Sequence, residues 1–249
     1  MILLGAKNLQ VVLIRYTPEP QELVAMGAKL CYSAAAIGEI QQGIERRDQA
    51  TFLDKLVAAG HLSPIEHACF TFGVEGMSRS LLAQITRHRI ASFSVKSQRY
   101  VSEATAARED EVFNYIIPPR IQEMGPDLVA EFEKQMEQIQ SWYDFWLKKL
   151  GNRGEQSNED ARFVLPNAAE TKMLVTMNAR ELLHFFSVRC CNRAQWEIRS
   201  LATEMLRQVR EVAPVLFRDA GPACLKGTCP EGAMSCGRSA EVREKFSAL

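Results

Sequence analysis

The feature that most limits the fold is one long amphipathic segment, residues 126–150. Apolar side chains recur along it at steps of four, four, three, four and three residues, which is the register of one buried helix face. They are Leu128, Phe132, Met136, Ile139, Tyr143 and Trp146. An apolar stripe on a helix must be buried against another layer, so the rest of the chain has to supply that layer.

The remaining pattern alternates between strands and helices. Apolar runs predict strands at 11–14, 68–74, 112–117 and 172–177. Helical spacing predicts helices at 21–31, 47–59, 78–88, 159–164, 179–191 and 194–212. Residues 92–100 and 151–157 are predicted as loops. We therefore expect one α+β (or α/β) domain with a sheet covered by several long helices.

Charge and the N-terminal sequence exclude several classes of function. The 249 residues contain 30 Lys and Arg against 30 Asp and Glu, so the formal net charge is zero. Because nucleic acids and anionic membranes favour basic surfaces, neither is expected as a partner. The first seven residues have no basic region and no long apolar run, and no apolar stretch is long enough for a membrane span. We expect a cytoplasmic protein without a secretory signal.

The segment 87–100 concentrates cations and hydroxyls. Arg87, Arg89, Lys96 and Arg99 are its cations, and three serines accompany them. Guanidinium forks and serine hydroxyls suit phosphate oxygens, so the segment predicts an anion site for a phosphate ester. A solvated basic loop is the alternative, because charge runs usually face water. The interleaved Phe93 and Tyr100 favour a site.

The histidines and a second arginine-bearing helix extend this pattern. His61 and His67 bracket a polar turn, His88 lies inside the arginine cluster, and His184 lies between Arg180 and Arg189. No zinc-ligand spacing connects these histidines, so no metal is expected. Asn178 precedes the helix, where capping and ligand contact are both open. Arg162 stands on an otherwise apolar turn and indicates an anion partner.

These residues resemble the flavin-dependent thymidylate synthase family. Its signature is matched by Arg87-His88-Arg89-x2-Ser92-x4-Ser97-x-Arg99. Further similar blocks follow in family order, namely Gly60-His61-x-Ser63-Pro64-x-Glu66-His67, Arg162-x-Val164-Leu165-Pro166, Asn178-Ala179-Arg180 and Ala194-Gln195-Trp196-Glu197-Ile198. The resemblance covers roughly residues 9 to 217. Five blocks in order are far more specific than one short motif.

The resemblance implies an activity, cofactors and an assembly. The family makes dTMP from dUMP with FAD as cofactor, methylenetetrahydrofolate as one-carbon donor and NADPH as reductant of the flavin. It implies a homotetramer with active sites shared between subunits. The implied fold is a central, mostly antiparallel sheet covered by long helices. On this basis residues 1–218 are expected as the catalytic domain and 219–249 as a Cys- and Gly-rich extension.

Site residues are carried over position by position. The FAD-contacting positions are Ser63, Glu66, Arg87, His88, Arg89, Asn178, Arg180 and His184. The dUMP-contacting positions are Gln84, Arg87, Ser97, Gln98, Arg99, Arg162 and Arg189. Arg99 and Arg162 are expected to hold the phosphate. Arg189, the predicted catalytic residue, is expected beside the uracil, where a fixed cation favours the ionised N3.

Two positions differ from the residues that many relatives carry. Serine and cysteine side chains of segment 87–100 and of helix 179–191 are also considered as nucleophiles. Val95 replaces a polar residue and leaves only backbone for a contact, whereas His184 replaces Asn and can still donate. Ser97 has no evident general base, so it is interpreted as a phosphate donor. Cations beside Cys190 and Cys191 would favour a thiolate, but packing is the preferred interpretation of both.

The C-terminal cysteines remain outside the resemblance. Cys224, Cys229 and Cys236 are spaced C-x4-C-x6-C. A metal site would need a fourth ligand from elsewhere, and no C-x2-C pair is present, so an ordered surface loop or a redox-sensitive appendage is favoured. Two other functions stay open. One is a nucleic-acid-binding module that uses the Arg/Ser segment, and the other is a related flavoenzyme that acts on another nucleotide, for example by hydroxymethylating uridylate.

Overall fold

A mixed helix and antiparallel-sheet architecture is present, as expected. In the computed structural model, which describes residues 5–107 and 111–249, four strands form one sheet of order β1-β2-β4-β3. The strands are β1 (Gln10–Tyr16), β2 (Cys69–Ser78), β3 (Ala91–Val95) and β4 (Glu170–Asn178). Residues 1–4, on which the expectation of no secretory signal partly rests, lie outside the described residues.

Eleven α-helices occur in the described part of the chain. They are α1 (Pro20–Leu30), α2 (Ile37–Glu45), α3 (Ala50–Ala58), α4 (Arg79–Ile85), α5 (Pro119–Glu123), α6 (Pro126–Lys149), α7 (Glu155–Ala161), α8 (Ala179–Arg189), α9 (Trp196–Val212), α10 (Pro214–Phe217) and α11 (Ser239–Ser247). None of these helices is both long and apolar enough to cross a membrane.

The chain folds into two compact units, each assembled from three stretches of sequence. The first unit comprises the described residues of Met1–Gln10, Val74–Arg87 and Ser94–Met173, and the second comprises Val11–Gly73, His88–Phe93 and Leu174–Leu249. The expected boundary between a catalytic domain and an extension near residue 218 remains a prediction.

The long helix α6 organises the core of the first unit. Met136 and Tyr143 are buried and Phe132 and Ile139 are partly buried, as the periodicity predicts. The two ends of the predicted face, Leu128 and Trp146, are exposed instead. Leu147 and Gln140 are buried in this helix as well, and the Gln140 amide bonds the backbone of Phe113 (2.8 Å) and Glu103 (2.9 Å). The buried face therefore includes a polar position that apolar periodicity does not detect.

Helix α9 organises the second unit through an almost entirely buried apolar face. Its Gln208 side chain accepts a hydrogen bond from Leu13 N (2.6 Å) and donates one to Val11 O (2.8 Å). An edge strand leaves backbone groups unpaired, and this amide satisfies two of them on β1.

Several predicted elements were wrong in type or extent. Residues 91–95 form strand β3, although 92–100 was predicted as a loop; the sequence Ala-Ser-Phe-Ser-Val alternates in burial, which is a strand period rather than a helical one. Residues 112–117 form only isolated bridges through Tyr115. Helix α7 begins inside the predicted loop 151–157. Helices α2, α5, α10 and α11 were not predicted.

Candidate active site

Helix α8 places two side chains of the second unit against one buried imidazole, that of His88. Asn178 caps the helix, and its side-chain oxygen accepts from Glu181 N at 2.9 Å. Capping, one of the two roles considered for Asn178, is therefore present. The cap fixes the first turn, from which Glu181 reaches His88, and Arg189 approaches the same ring from the end of the helix. Glu181 and His88 are each 7% exposed.

Hydrogen bonds on both ring nitrogens define the protonation of His88. Arg189 Nε donates to His88 Nε2 at 3.1 Å, so Nε2 carries a lone pair. The proton is therefore on Nδ1, which donates to Glu181 Oε1 at 2.9 Å. Burial lowers the pKa of His88, and the Arg189 cation lowers it further against the opposing effect of Glu181. The ring is neutral and acts as an acceptor for Arg189.

Histidine and glutamate side chains can ligate a metal, but the hydrogen bonds of His88 argue against a metal site here. His88, Glu181 and His184 bring one ligand atom each to within 4.8 Å of one another, the sole such group found in the described residues. Both nitrogens of His88 are already engaged by Glu181 and Arg189. The exposed His184 ring lies 5.8 Å from that of His88. We interpret the group as a chain that positions Arg189.

Four of the other residues expected at FAD, namely Ser63, Glu66, Arg89 and Arg180, lie at the surface of the second unit. Ser63 precedes the turn Pro64–His67, and Arg180 Nη1 donates to Glu66 Oε1 at 2.6 Å, with both side chains about half exposed. Arg89 is exposed. Arg87, which is also exposed, belongs to the first unit.

Arginines of the first unit converge on helix α7. Arg99 pairs with Glu155 and, at 2.9 Å, with Glu159 Oε2. Arg162 Nε donates to the backbone oxygen of Glu159 at 3.2 Å. The structure thus brings together the two residues predicted to hold the phosphate. The carboxylates of Glu155 and Glu159 already balance the charge of Arg99.

A third guanidinium, that of Arg79, lies near Arg162 and was missed in the sequence. Burial lowers the pKa of Arg79, and the nearby Arg162 cation lowers it further. Arg79 begins helix α4, and its type alone carries no signal, since arginines are usually solvated. Cations held close together favour an anion between them.

The remaining predicted dUMP contacts include a buried amide with no partner among the described residues. Gln98 is 6% exposed, and its Nε2 has no hydrogen-bond partner. A buried donor left unpaired costs about 1–3 kcal/mol, so a ligand acceptor at this position is favoured. Ser97 Oγ accepts from Arg99 N at 3.2 Å. Gln84 Nε2 donates to Ser80 O at 3.3 Å.

One cation of the predicted anion site has a different role. Lys96 Nζ lies 2.7 Å from Glu103 Oε1 and 3.6 Å from Glu170 Oε2, and its side chain is mostly buried. Two carboxylates neutralise this ammonium, so grouping Lys96 with the phosphate-binding arginines was wrong.

The adjacent cysteines 190 and 191 differ from each other. Cys190 is buried, and burial raises the pKa of its thiol to about 12, which fits the packing role predicted for it and opposes a nucleophilic one. Cys191 is only partly buried and lines a cavity, so packing alone does not describe it.

Comparisons with known proteins identify the family of this chain. The sequence model of the family described as thymidylate synthase complementing protein matches residues 12–215. A flavin-dependent thymidylate synthase from Geobacter sulfurreducens is 49% identical, with 96% of this chain and 98% of the relative covered. One from Clostridium tetani is 47% identical, covering 96% and 97%. The chain therefore belongs to the flavin-dependent thymidylate synthase family, and the resemblance is confirmed.

Two solved structures share the fold. Thymidylate synthase X from Helicobacter pylori, crystallised with FAD and dUMP, has a TM-score of 0.61 at 23% identity, covering 85% of this chain and 98% of its own. The UMP/dUMP methylase PolB from Streptomyces cacaoi, bound with 5-Br dUMP, has a TM-score of 0.70 at 22% identity, covering 86% and 94%.

Proposed function

We propose that this protein makes dTMP from dUMP, with FAD as cofactor, methylenetetrahydrofolate as one-carbon donor and NADPH as reductant of the flavin. The observation that carries the proposal is the buried chain from Glu181 through His88 to Arg189. This chain of hydrogen bonds holds the Arg189 cation against a neutral imidazole. The sequence that contains it is 49% identical to a flavin-dependent thymidylate synthase.

Arg189 is the proposed catalytic residue. A cation beside the uracil ring lowers the pKa of N3 and stabilises negative charge that develops on the ring. His88 accepts from Nε, the guanidinium nitrogen nearest the aliphatic stem, and so sets the plane of the group. Because His88 is neutral, it orients Arg189 without adding a second cation. Glu181 keeps the His88 proton on Nδ1.

The arginines of the first unit are proposed to bind the dUMP phosphate. Arg99 and Arg162 supply guanidinium forks, and Arg79 adds a third cation nearby. Glu155 and Glu159 hold Arg99 before substrate arrives and compete with the phosphate afterwards. The Gln98 amide supplies a donor for a nucleotide oxygen. Ser97 contributes a hydroxyl, as its interpretation as a phosphate donor requires.

The donor set of the second unit fits FAD. Its exposed guanidinium, imidazole and hydroxyl groups suit the oxygens of a dinucleotide, which carries two phosphates. The proposed contacts of this unit are Ser63, Glu66, His88, Arg89, Asn178, Arg180 and His184. Arg87, a residue of the first unit, is proposed from the family resemblance alone. When bound, the flavin supplies the hydride. The half-exposed pair of Glu66 and Arg180 would present one cation in a fixed orientation.

We also propose the homotetramer with shared active sites. Helix α6 exposes Trp142 (51%), Phe145 (52%) and Trp146 (46%) side by side. Aromatic side chains gathered on a surface are typical of the core of a protein interface. A second copy of this chain is the proposed cover. Sedimentation of a Trp142→Ser/Phe145→Ser variant should show dissociation, and an unchanged mass would remove this face from the interface.

The activity is tested by product analysis under argon. The purified protein is incubated with dUMP, methylenetetrahydrofolate, NADPH and FAD, and each component is omitted in turn. We expect dTMP, identified by mass, only in the complete mixture. A hydroxymethylated nucleotide would replace this proposal with the related flavoenzyme, and no product with flavin bound would refute it.

A further inference from the structure

Four cysteines of the second unit gather at the C-terminal segment. This tail cluster consists of Cys191, Cys224, Cys229 and Cys236. The first three line one cavity of about 280 Å³. The Cys236 sulfur lies 3.9 Å from Nδ2 of Asn192, the residue that follows Cys191. Cys191 is thus the fourth member that the spacing C-x4-C-x6-C lacks.

Arginines anchor the cysteine-bearing segment by its backbone. Arg243, on α11, donates to Cys224 O (3.1 Å) and Gly227 O (2.6 Å). Arg193 donates to Met234 O at 2.8 Å. These bonds hold the segment on both sides of Cys229. The thiols are therefore presented in a defined arrangement, as a site requires.

The tail cluster combines free thiols with two arginines that line the same cavity. All seven cysteines of the chain are free thiols. Thiolates that face one cavity are stabilised when a bound metal compensates their charge. Arg189 and Arg193, which also line the cavity, would offset the net negative charge of a thiolate-bound centre.

We propose that the four thiols of the tail cluster bind an iron–sulfur cluster of the 4Fe–4S type. Four cysteine thiolates are the usual ligands of this cofactor. Each thiol loses its proton on binding. None of the four cysteines is a proposed dUMP or FAD contact. Arg189, a proposed dUMP contact, also lines the cavity of the tail cluster.

The spacing of the sulfurs favours such a cluster over one zinc ion. A tetrahedral zinc with Zn–S bonds of about 2.3 Å holds its sulfurs roughly 3.8 Å apart. Within the described residues, the group of three ligand atoms found within 4.8 Å of one another contains no cysteine. The cavity of about 280 Å³ that Cys191, Cys224 and Cys229 line leaves room for a cluster with four iron corners. The exposed Cys31 and Cys69 do not belong to this arrangement.

Metal and sulfide analysis tests the proposal. The full chain is purified without oxygen, and its iron, acid-labile sulfide and zinc are measured per chain, with electron paramagnetic resonance after reduction by dithionite. We expect about four iron and four sulfide per chain, with the resonance of a reduced 4Fe–4S centre. Bound flavin does not contribute to iron or sulfide content, so this result is independent of the proposed activity.

Two variants locate the ligands, and a third serves as control. Cys229→Ala and Cys236→Ala should each lower iron content at least tenfold, whereas Cys31→Ala, at an exposed thiol outside the tail cluster, should retain it. Circular dichroism establishes that the variants are folded. One zinc per chain on the same cysteines would overturn the iron–sulfur assignment. A metal-free protein after reconstitution with iron and sulfide, or iron retained in both cluster variants, would overturn the site.

Discussion

Removing the Glu181 carboxylate tests the positioning chain most specifically. In Glu181→Ala the buried Nδ1–H of His88 loses its acceptor, which costs about 1–3 kcal/mol. For a chain of this length each kcal/mol lowers Tm by roughly 2–4 °C, so about 2–12 °C is expected. Glu181→Gln keeps an oxygen acceptor but loses the charge, which costs only about 1 kcal/mol, the difference between charged and neutral hydrogen bonds.

The same variants should separate positioning from binding. Without Glu181 the His88 proton is free to move to Nε2, where it would oppose the Arg189 Nε–H. We expect kcat to fall in the order wild type, Glu181→Gln, Glu181→Ala, with KM for dUMP changing less than kcat. Thermal melts and steady-state dTMP formation below the variants' Tm measure both effects. Equal kcat in all three proteins would refute the reasoning.

The pH dependence of stability follows from the lowered pKa of His88. Below the ordinary histidine value of about 6.5, the unfolded chain takes up a proton that the folded chain refuses, so acid destabilises the fold by up to about 1.4 kcal/mol per pH unit. Glu181 opposes this lowering. The Glu181→Gln variant should therefore show an acid slope at least as steep as wild type in urea unfolding. A shallower slope would contradict the assignment.

Three further substitutions probe the substrate contacts. Arg189→Ala should lower turnover about 10²–10³-fold and leave flavin bound, measured by product formation and flavin absorbance; normal turnover would exclude the catalytic role. Arg99→Ala should weaken dUMP at least tenfold more than deoxyuridine in titration calorimetry, and equal losses would show that Arg99 does not contact the phosphate. Glu155→Gln should tighten dUMP up to about fivefold, since exposed ion pairs contribute roughly 0.2–1 kcal/mol; weaker binding would mean that Glu155 supports Arg99 rather than competing for it.

Periodicity predicted the long helix and three of the four strands, because burial imposes the 3.6- and 2-residue periods directly. It missed β3, where serines alternate with small or apolar residues on a strand that is only partly buried. It also overstated the α6 face, since Leu128 and Trp146 are exposed. Neither Gln140 nor Gln208 could be predicted as buried, because each is stabilised by backbone partners distant in sequence.

The site was predicted from motifs rather than from geometry. Glu181 directly follows the block Asn178-Ala179-Arg180 but received no role, because its partner His88 is 93 residues away. Glu181 precedes His184 by three residues on one helix, and this spacing was a signal in the sequence that could have indicated a role for Glu181 in the site. Arg79 lies outside the motifs, and its importance follows only from burial beside Arg162. Likewise, only the folded chain brings Cys191 to the C-terminal cysteines.

The most direct measurement follows the flavin absorbance of the purified protein under argon as NADPH is added, with and without dUMP. The account predicts a flavin band that bleaches faster when dUMP is present, since nucleotide and flavin would share one active site. The absence of a flavin band after incubation with FAD, or bleaching unaffected by dUMP, would contradict it.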